Sequence, residues 1–128
     1  MQAINPPGIR APFAQYSHAL HLHGASQLLV MSGQLGVRPD DTVPEGARAQ
    51  AECALDNIDA ILVAAGLDRD AVVKLNAYVT DRSHMAGYMA ARDAWVARLS
   101  PAPASTLMIV SGFTRPELVV EIEAFAAR

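Results

Sequence analysis

Cysteine is almost missing from this chain. Cys53 stands alone, so no internal disulfide can form. That suits a reducing compartment, and a cytoplasmic location is expected. Positive charge is also scarce: 10 Lys and Arg residues face 13 Asp and Glu residues, a net charge of −3. Without a basic footprint, nucleic acid is not expected as a partner. Long apolar runs are absent as well. None approaches the roughly 20 residues of a membrane span, and Met1 to Pro12 has no continuous apolar run of the signal-peptide kind. No membrane partner is expected.

Charge of either sign is thin, 18% of residues against 52% hydrophobic. A small monomer exposes a large share of its surface and needs polar residues to cover it. The apolar excess therefore predicts an oligomer that buries a second apolar surface. A chain of 128 residues without repeat, low-complexity tract or linker reads as a single domain over residues 1–128.

The most informative stretch is Pro103 to Phe125. Ser105, Leu107 and Ile109 alternate with Thr106, Met108 and Val110, the period of a strand. Val119 to Phe125 alternates too, with Glu121 and Glu123 on one face and Val120, Ile122 and Ala124 on the other. The two segments read as a strand pair. Its carboxylates form either a solvated face or one wall of a polar pocket. In the pocket reading, Ser105 and Thr106 stand on one strand and a carboxylate on the next.

Upstream, residues 1–15 carry Pro6, Pro7, Gly8 and Pro12 and read as extended lead-in. Tyr16 to His23 and Gln27 to Ser32 read as strands joined at Gly24 to Ser26, predicting a hairpin. Gly33-Gln34 ends the second strand, and residues 36–46 form a loop. Ala47 to Ala65 reads as a helix, with Leu55, Ile58, Leu62 and Ala65 in one stripe and Gly66 as its C-terminal stop. Residues 71–79 alternate as a third strand. Asp81 or Ser83 caps a second helix from His84 to Leu99, whose apolar side is Met85, Tyr88, Trp95 and Leu99. Ser100-Pro101 stops it. This order gives an α+β two-layer sandwich, a mixed β-sheet with two helices on one face. Leu28 to Met31 is apolar on successive residues, as in a strand buried on both faces. The helix-free face is therefore expected to pack on another copy of the chain.

These residues, taken in order, resemble the RidA/YjgF family, also called L-PSP endoribonuclease-like. The resemblance rests on Tyr16-Ser17, on Ser32-Gly33-Gln34, on Gln50 and on the helix from Leu55-Asp56-Asn57-Ile58 to Ala64-Ala65-Gly66-Leu67. It continues through Val73-Lys74, Tyr78-Val79-Thr80-Asp81, Pro103-Ala104 and Val120-Glu121-Ile122-Glu123-Ala124. It implies a chorismate-mutase-like fold and a homotrimer whose sheets face inward, with a small-molecule cleft at each subunit interface. It further implies an enamine/imine deaminase, a hydrolase needing no cofactor or metal. Where the family carries Pro-Ala-Arg-Ser, this chain reads Pro103-Ala104-Ser105-Thr106. The family's arginine grips the substrate carboxylate through a bidentate, charge-assisted contact. Such bonds contribute about 1.5–3 kcal/mol against about 1 for a neutral one. Affinity for a free amino-acid imine is expected to fall at least tenfold.

The resemblance assigns Glu121 as the catalytic residue that places the hydrolytic water. Tyr16, His18, Gly33, Met89, Ser105, Thr106 and Leu107 become substrate-binding positions; Met89 replaces a helix asparagine and His18 a glutamine. Arg10 or Arg115 is the candidate to restore a positive charge. His18 is the one base that could serve Ser105 as a nucleophile, although lining the cleft is the better role for both. Glu123 is read as structural, as a member of an ion pair, and Cys53 as a small packed hydrophobe. His21 and His23 share a strand face, but no further ligand stands near, so no zinc is expected. The functional expectation is a homotrimer that deaminates an enamine or imine other than a simple amino-acid imine. The alternative is a non-catalytic, metabolite-binding or regulatory trimer, and an endoribonuclease or translation inhibitor comes third.

Overall fold

A computed structural model describes all residues, Met1–Arg128. The core sheet has five strands: β3 (Leu28–Val30), β4 (Gln34–Leu35), β5 (Val72–Val79), β6 (Ala104–Ile109) and β7 (Val120–Ala127). Its path is β3-β7-β5-β6, with β4 also paired to β7. β5 and β6 run parallel and the other pairs antiparallel, so the sheet is mixed. The helices α1 (Ala47–Ala64) and α2 (Met85–Val96) cover one face. The α+β architecture follows the expected layering.

Alternation decides what each face carries. On β5, Leu75, Ala77 and Val79 are buried beneath the helices; on β7, Val120, Ile122, Ala124 and Ala126 are. α1 adds Ala51, Ala54, Leu55, Ile58 and Leu62, and α2 adds Tyr88, Ala91, Trp95 and Val96. The alanine-rich α1 has high intrinsic helix propensity, and small residues let it lie close to the sheet. It ends where Gly66 adopts φ +70°, a conformation that glycine reaches without a Cβ penalty. There the Leu67 amide returns to the Leu62 carbonyl at 2.9 Å. Two polar links brace these layers. Asp59 of α1 takes the Arg69 guanidinium and the Trp95 indole N–H, both at its carboxylate. Gln50 is buried and donates to the Pro44 and Glu117 carbonyls while accepting from the Val119 amide at 2.9 Å.

Strand pairing differs from expectation in two places. The predicted hairpin does not form. The lead-in contributes β1 (Gln2–Ile4), which pairs antiparallel with β2 (Ala19–His21) in a separate two-stranded sheet. β3 joins β7 instead, held at its entry by the Ser26 and Gln27 amides on the Arg128 carbonyl. The proline-rich turn after Ile4 lets the chain double back, and β7 offers β3 a longer apolar partner. β3 ends before Gly33, as expected, and Gln34 then begins a further short strand, β4. The second difference is that β6 and β7 are not neighbours, since β5 lies between them.

The helix-free face displays Lys74, Asn76 and Tyr78 of β5, Thr106 and Met108 of β6, and Glu121, Glu123 and Phe125 of β7. β3 adds Leu28 and Val30. Leu28, Val30 and Met108 are 67%, 62% and 54% exposed. No helix is long and apolar enough to cross a membrane.

Candidate functional site: a cleft between α2 and the edge strand

Tyr16 reaches its position through Ser17. The Ser17 hydroxyl donates to the Ala102 carbonyl at 2.6 Å and its amide to the Pro103 carbonyl, and Ser17 bridges Ala104 in parallel fashion. This lays residues 16–18 alongside the start of β6. Tyr16, Met89, Ser105 and Leu107 therefore line one cleft of about 260 Å³, open to solvent between α2 and β6. Ser105 and Leu107 are in register with Leu75 and Ala77, which puts them on the helix side of the sheet.

The remaining predicted positions fall elsewhere. Thr106 points to the helix-free face, where it accepts a 2.7 Å hydrogen bond from Lys74 Nζ; burial holds that ammonium below its ordinary value. His18 packs edge-on against Tyr16, and its Nε2 donates to the Arg10 carbonyl at 2.7 Å. His18 makes no hydrogen bond to Ser105 and is not among the side chains lining the cleft. Glu121 also lies on the helix-free face, across the sheet from Ser105. The pocket combining the Ser105 hydroxyl with a carboxylate on the adjacent strand is therefore not formed within one chain. The register separates them by a whole strand and the pleat by a face.

Glu121 and Gly33 instead form their own pair. A Cβ on Gly33 would fall into the Glu121 carboxylate, 2.7 Å from its Cδ and 3.0 Å from its Cγ. Only a residue without a side chain admits the carboxylate here. Beside it, Glu123 accepts hydrogen bonds from Tyr78 Oη and Asn76 Nδ2 rather than from a cation, so the ion pair suggested for it is absent. The Glu123 carboxylate holds the Tyr78 phenol above its ordinary value.

Neither arginine singled out for the cleft lines it within one chain. Arg115 pairs with Asp41 and Glu117, and Arg10 lies over the Phe13 ring. Arg92 of α2 is in the cleft wall instead, and its Nη1 donates to the Ser105 hydroxyl at 3.4 Å. A signal for it was present in the sequence. Met85, Tyr88, Arg92, Trp95 and Leu99 follow helical spacing, so Arg92 occupies the buried stripe. His21 and His23 lie with ring centroids 3.9 Å apart and tilted by 43° at the exposed end of β2, and neither lines this cleft. A larger groove of about 620 Å³ runs by the end of α2, but its Arg69 is already engaged by Asp59.

A two-layer mixed sheet with both helices on one face and a ligand-sized cleft at its edge strand defines a class of small α+β proteins. Within that class this chain belongs to the Endoribonuclease L-PSP (RidA/YjgF) family, whose model matches residues 8–128. It is 38% identical over 82 residues to a RutC family protein of Aquifex aeolicus, a match covering 63% of each chain. The chain thus spans less than two thirds of that relative's length. It is 34% identical over 103 residues to the 2-iminobutanoate/2-iminopropanoate deaminase of Escherichia coli, covering 79% of this chain and 80% of that one. Among solved structures, the Rid family protein YyfB from Yersinia pestis superposes with a TM-score of 0.85 at 26% identity, over 99% and 98% of the two chains. The YjgF product of E. coli gives 0.73 at 30% identity, over 100% and 99%.

Proposed function

We propose that this protein hydrolyses an imine or enamine, as a homotrimer in which each cleft is shared by two copies of the chain. The observation that carries the proposal is the Glu121–Gly33 pair, a strand carboxylate seated against a glycine. As the water oxygen attacks the C=N carbon, Glu121 accepts the proton and passes it to nitrogen. This gives a carbinolamine; its hydroxyl proton then moves to nitrogen as the C=O bond forms and the C–N bond breaks, so that ammonia leaves and imine plus water gives a carbonyl compound plus ammonia. Help of this kind contributes about 10²–10⁴-fold in rate. The likeness to a protein named as an iminobutanoate/iminopropanoate deaminase supports the reaction class.

Assembly follows from the same reading. Glu121 and the Tyr16–Ser105 cleft sit on opposite faces of one sheet, so a single copy cannot present both to one ligand. A second copy packed on the helix-free face brings the carboxylate of one chain to the cleft of the next. The exposed Leu28, Val30 and Met108 favour that packing, because association removes them from water. The ligand is a small molecule at that interface, and the acidic net charge argues against nucleic acid. A cytoplasmic location fits the lone cysteine.

The test is ammonia release from a panel of imines generated in situ, with the purified oligomer. We expect turnover, and a fall of about 10²-fold or more in Glu121→Gln. Background rates throughout, with the assembly intact, defeat the hydrolase reading. A second reading, a metabolite-binding trimer without turnover, is favoured by Ser105 standing where the family's carboxylate-gripping arginine is expected. Thermal shift by metabolites without ammonia release would select it.

A further inference from the structure

Arg92 is 4% exposed, yet its guanidinium is only partly satisfied. Nε donates to Asp93 at 2.7 Å and Nη1 reaches Ser105 at 3.4 Å. Nη2 is buried and has no partner. The hydroxyl of Tyr88, one turn earlier on α2, is likewise buried and makes no hydrogen bond of good geometry, with Arg92 and Ser105 beside it. The guanidinium lies 5.8 Å from the Tyr88 ring centroid. Burial pushes the Tyr88 phenol above its ordinary value, and the nearby Arg92 charge is the first influence opposing it. Buried donors left empty are rare and unfavourable, so their clustering at one cleft wall marks a place that something else completes. Around them the cleft is apolar, walled by Phe13, Met85, Met89 and Leu107.

We infer that Arg92, projecting from α2, is the cation of this cleft, and that with the Ser105 hydroxyl it binds the carboxylate of a ligand whose body is apolar. A planar carboxylate fits a guanidinium whose Nη2 is free and whose Nη1 has only a long, weak bond to displace. The methionines and Leu107 accept an aliphatic or aromatic body and offer nothing to a polar one. The cation thus approaches the ligand from the helix, and the hydroxyl from β6. The inference rests on the cleft being the ligand site but does not require turnover.

Binding of inert oxo acids to the full-length protein tests it by calorimetry, with 4-methyl-2-oxopentanoate and phenylpyruvate as probes. Pyruvate and 4-methylpentanamide serve as short and uncharged controls. We expect the apolar oxo acids to bind at least tenfold more tightly than either control. Arg92→Met should abolish carboxylate selectivity without lowering the melting temperature, because it removes an incompletely paired buried charge; a purely structural arginine would lower it. Ser105→Asp places a carboxylate against the guanidinium. It should block the probes and raise the melting temperature, which keeps the test open if Arg92→Met does not fold. Equal affinity for the amide and the oxo acids, or undiminished affinity in Ser105→Asp, overturns the inference. Selective binding without ammonia release from the matching imine sustains it while removing the hydrolase reading. Glu121→Gln should lose turnover yet keep probe affinity.

Discussion

Gly33→Ala isolates the Glu121 carboxylate more cleanly than a change to Glu121 itself. The added Cβ would stand 2.7 Å from Glu121 Cδ, whereas ordinary contact begins near 3.4 Å. The carboxyl carbon must therefore withdraw by about 0.7 Å, and Oε1, which lies nearer still, by more. Misplacing a reacting group by about 1 Å can lower a rate about 10²-fold, equivalent to about 2.7 kcal/mol of activation free energy. Stability should hardly change. Gly33 is not at positive φ, so alanine is conformationally allowed and restricts the unfolded chain by about 0.4–1 kcal/mol in its favour. The clash meets the flexible end of a side chain, which can rotate away. The assay is ammonia release from an imine the wild type accepts, with kcat and KM resolved, alongside thermal unfolding. We expect kcat to fall about 10²-fold, KM to stay within a few-fold and the melting temperature to hold. Because Gly33 acts through Glu121, the double variant with Glu121→Gln should be no slower than Glu121→Gln alone. Wild-type kcat in Gly33→Ala, or fully additive losses in the double variant, refutes the reasoning.

Three further outcomes are expected. Gln50→Ala leaves the Pro44 and Glu117 carbonyls and the Val119 amide without their partner, and denaturant unfolding should show a loss of about 3 kcal/mol. Tyr78 has a phenol pKa raised above 10.0 by its hydrogen bond to Glu123, so its stabilising contribution is complete below pH 10.0 and disappears as pH climbs through the folded value. Lys74, held below 10.5 by burial, works in the opposite direction, so the comparison to make is the alkaline melting profile of Tyr78→Phe against wild type; the variant should lose stability less steeply there. Val30→Lys places a charge in the apolar patch of the helix-free face, and light scattering should show the assembly dissociating to single chains; a wild type that is itself monomeric rejects the trimer outright.

The facing of the strand side chains was legible in one dimension. The alternation in Val119 to Phe125 correctly separated Glu121 and Glu123 from Val120, Ile122 and Ala124, because a strand's side-chain period is geometric and independent of its neighbours. Tyr16, Met89, Ser105 and Leu107, named on the family resemblance, share the lining of one cleft. Thr106 was misplaced although the same alternation, applied one residue further, sets it on the other face from Ser105. Arg92 was passed over because an arginine reads as surface by type, whereas its spacing from Tyr88 and Trp95 already put it on the buried stripe.

What local sequence determined here is therefore the character of each segment: which residues form helix or strand, where α1 stops at Gly66, and which side chains share a face. Those properties depend on dihedral preference and periodicity over a few residues. Tertiary structure alone decided adjacency. It gave β3 to β7 and β2 to β1, inserted β5 between the hydroxyls of β6 and the carboxylates of β7, and brought a helical arginine to a serine 13 residues away. Pairing of that kind is a competition among distant segments for the same edge and the same apolar surface. No window of the chain contains all the competitors, so its result appears only when the whole polypeptide is folded.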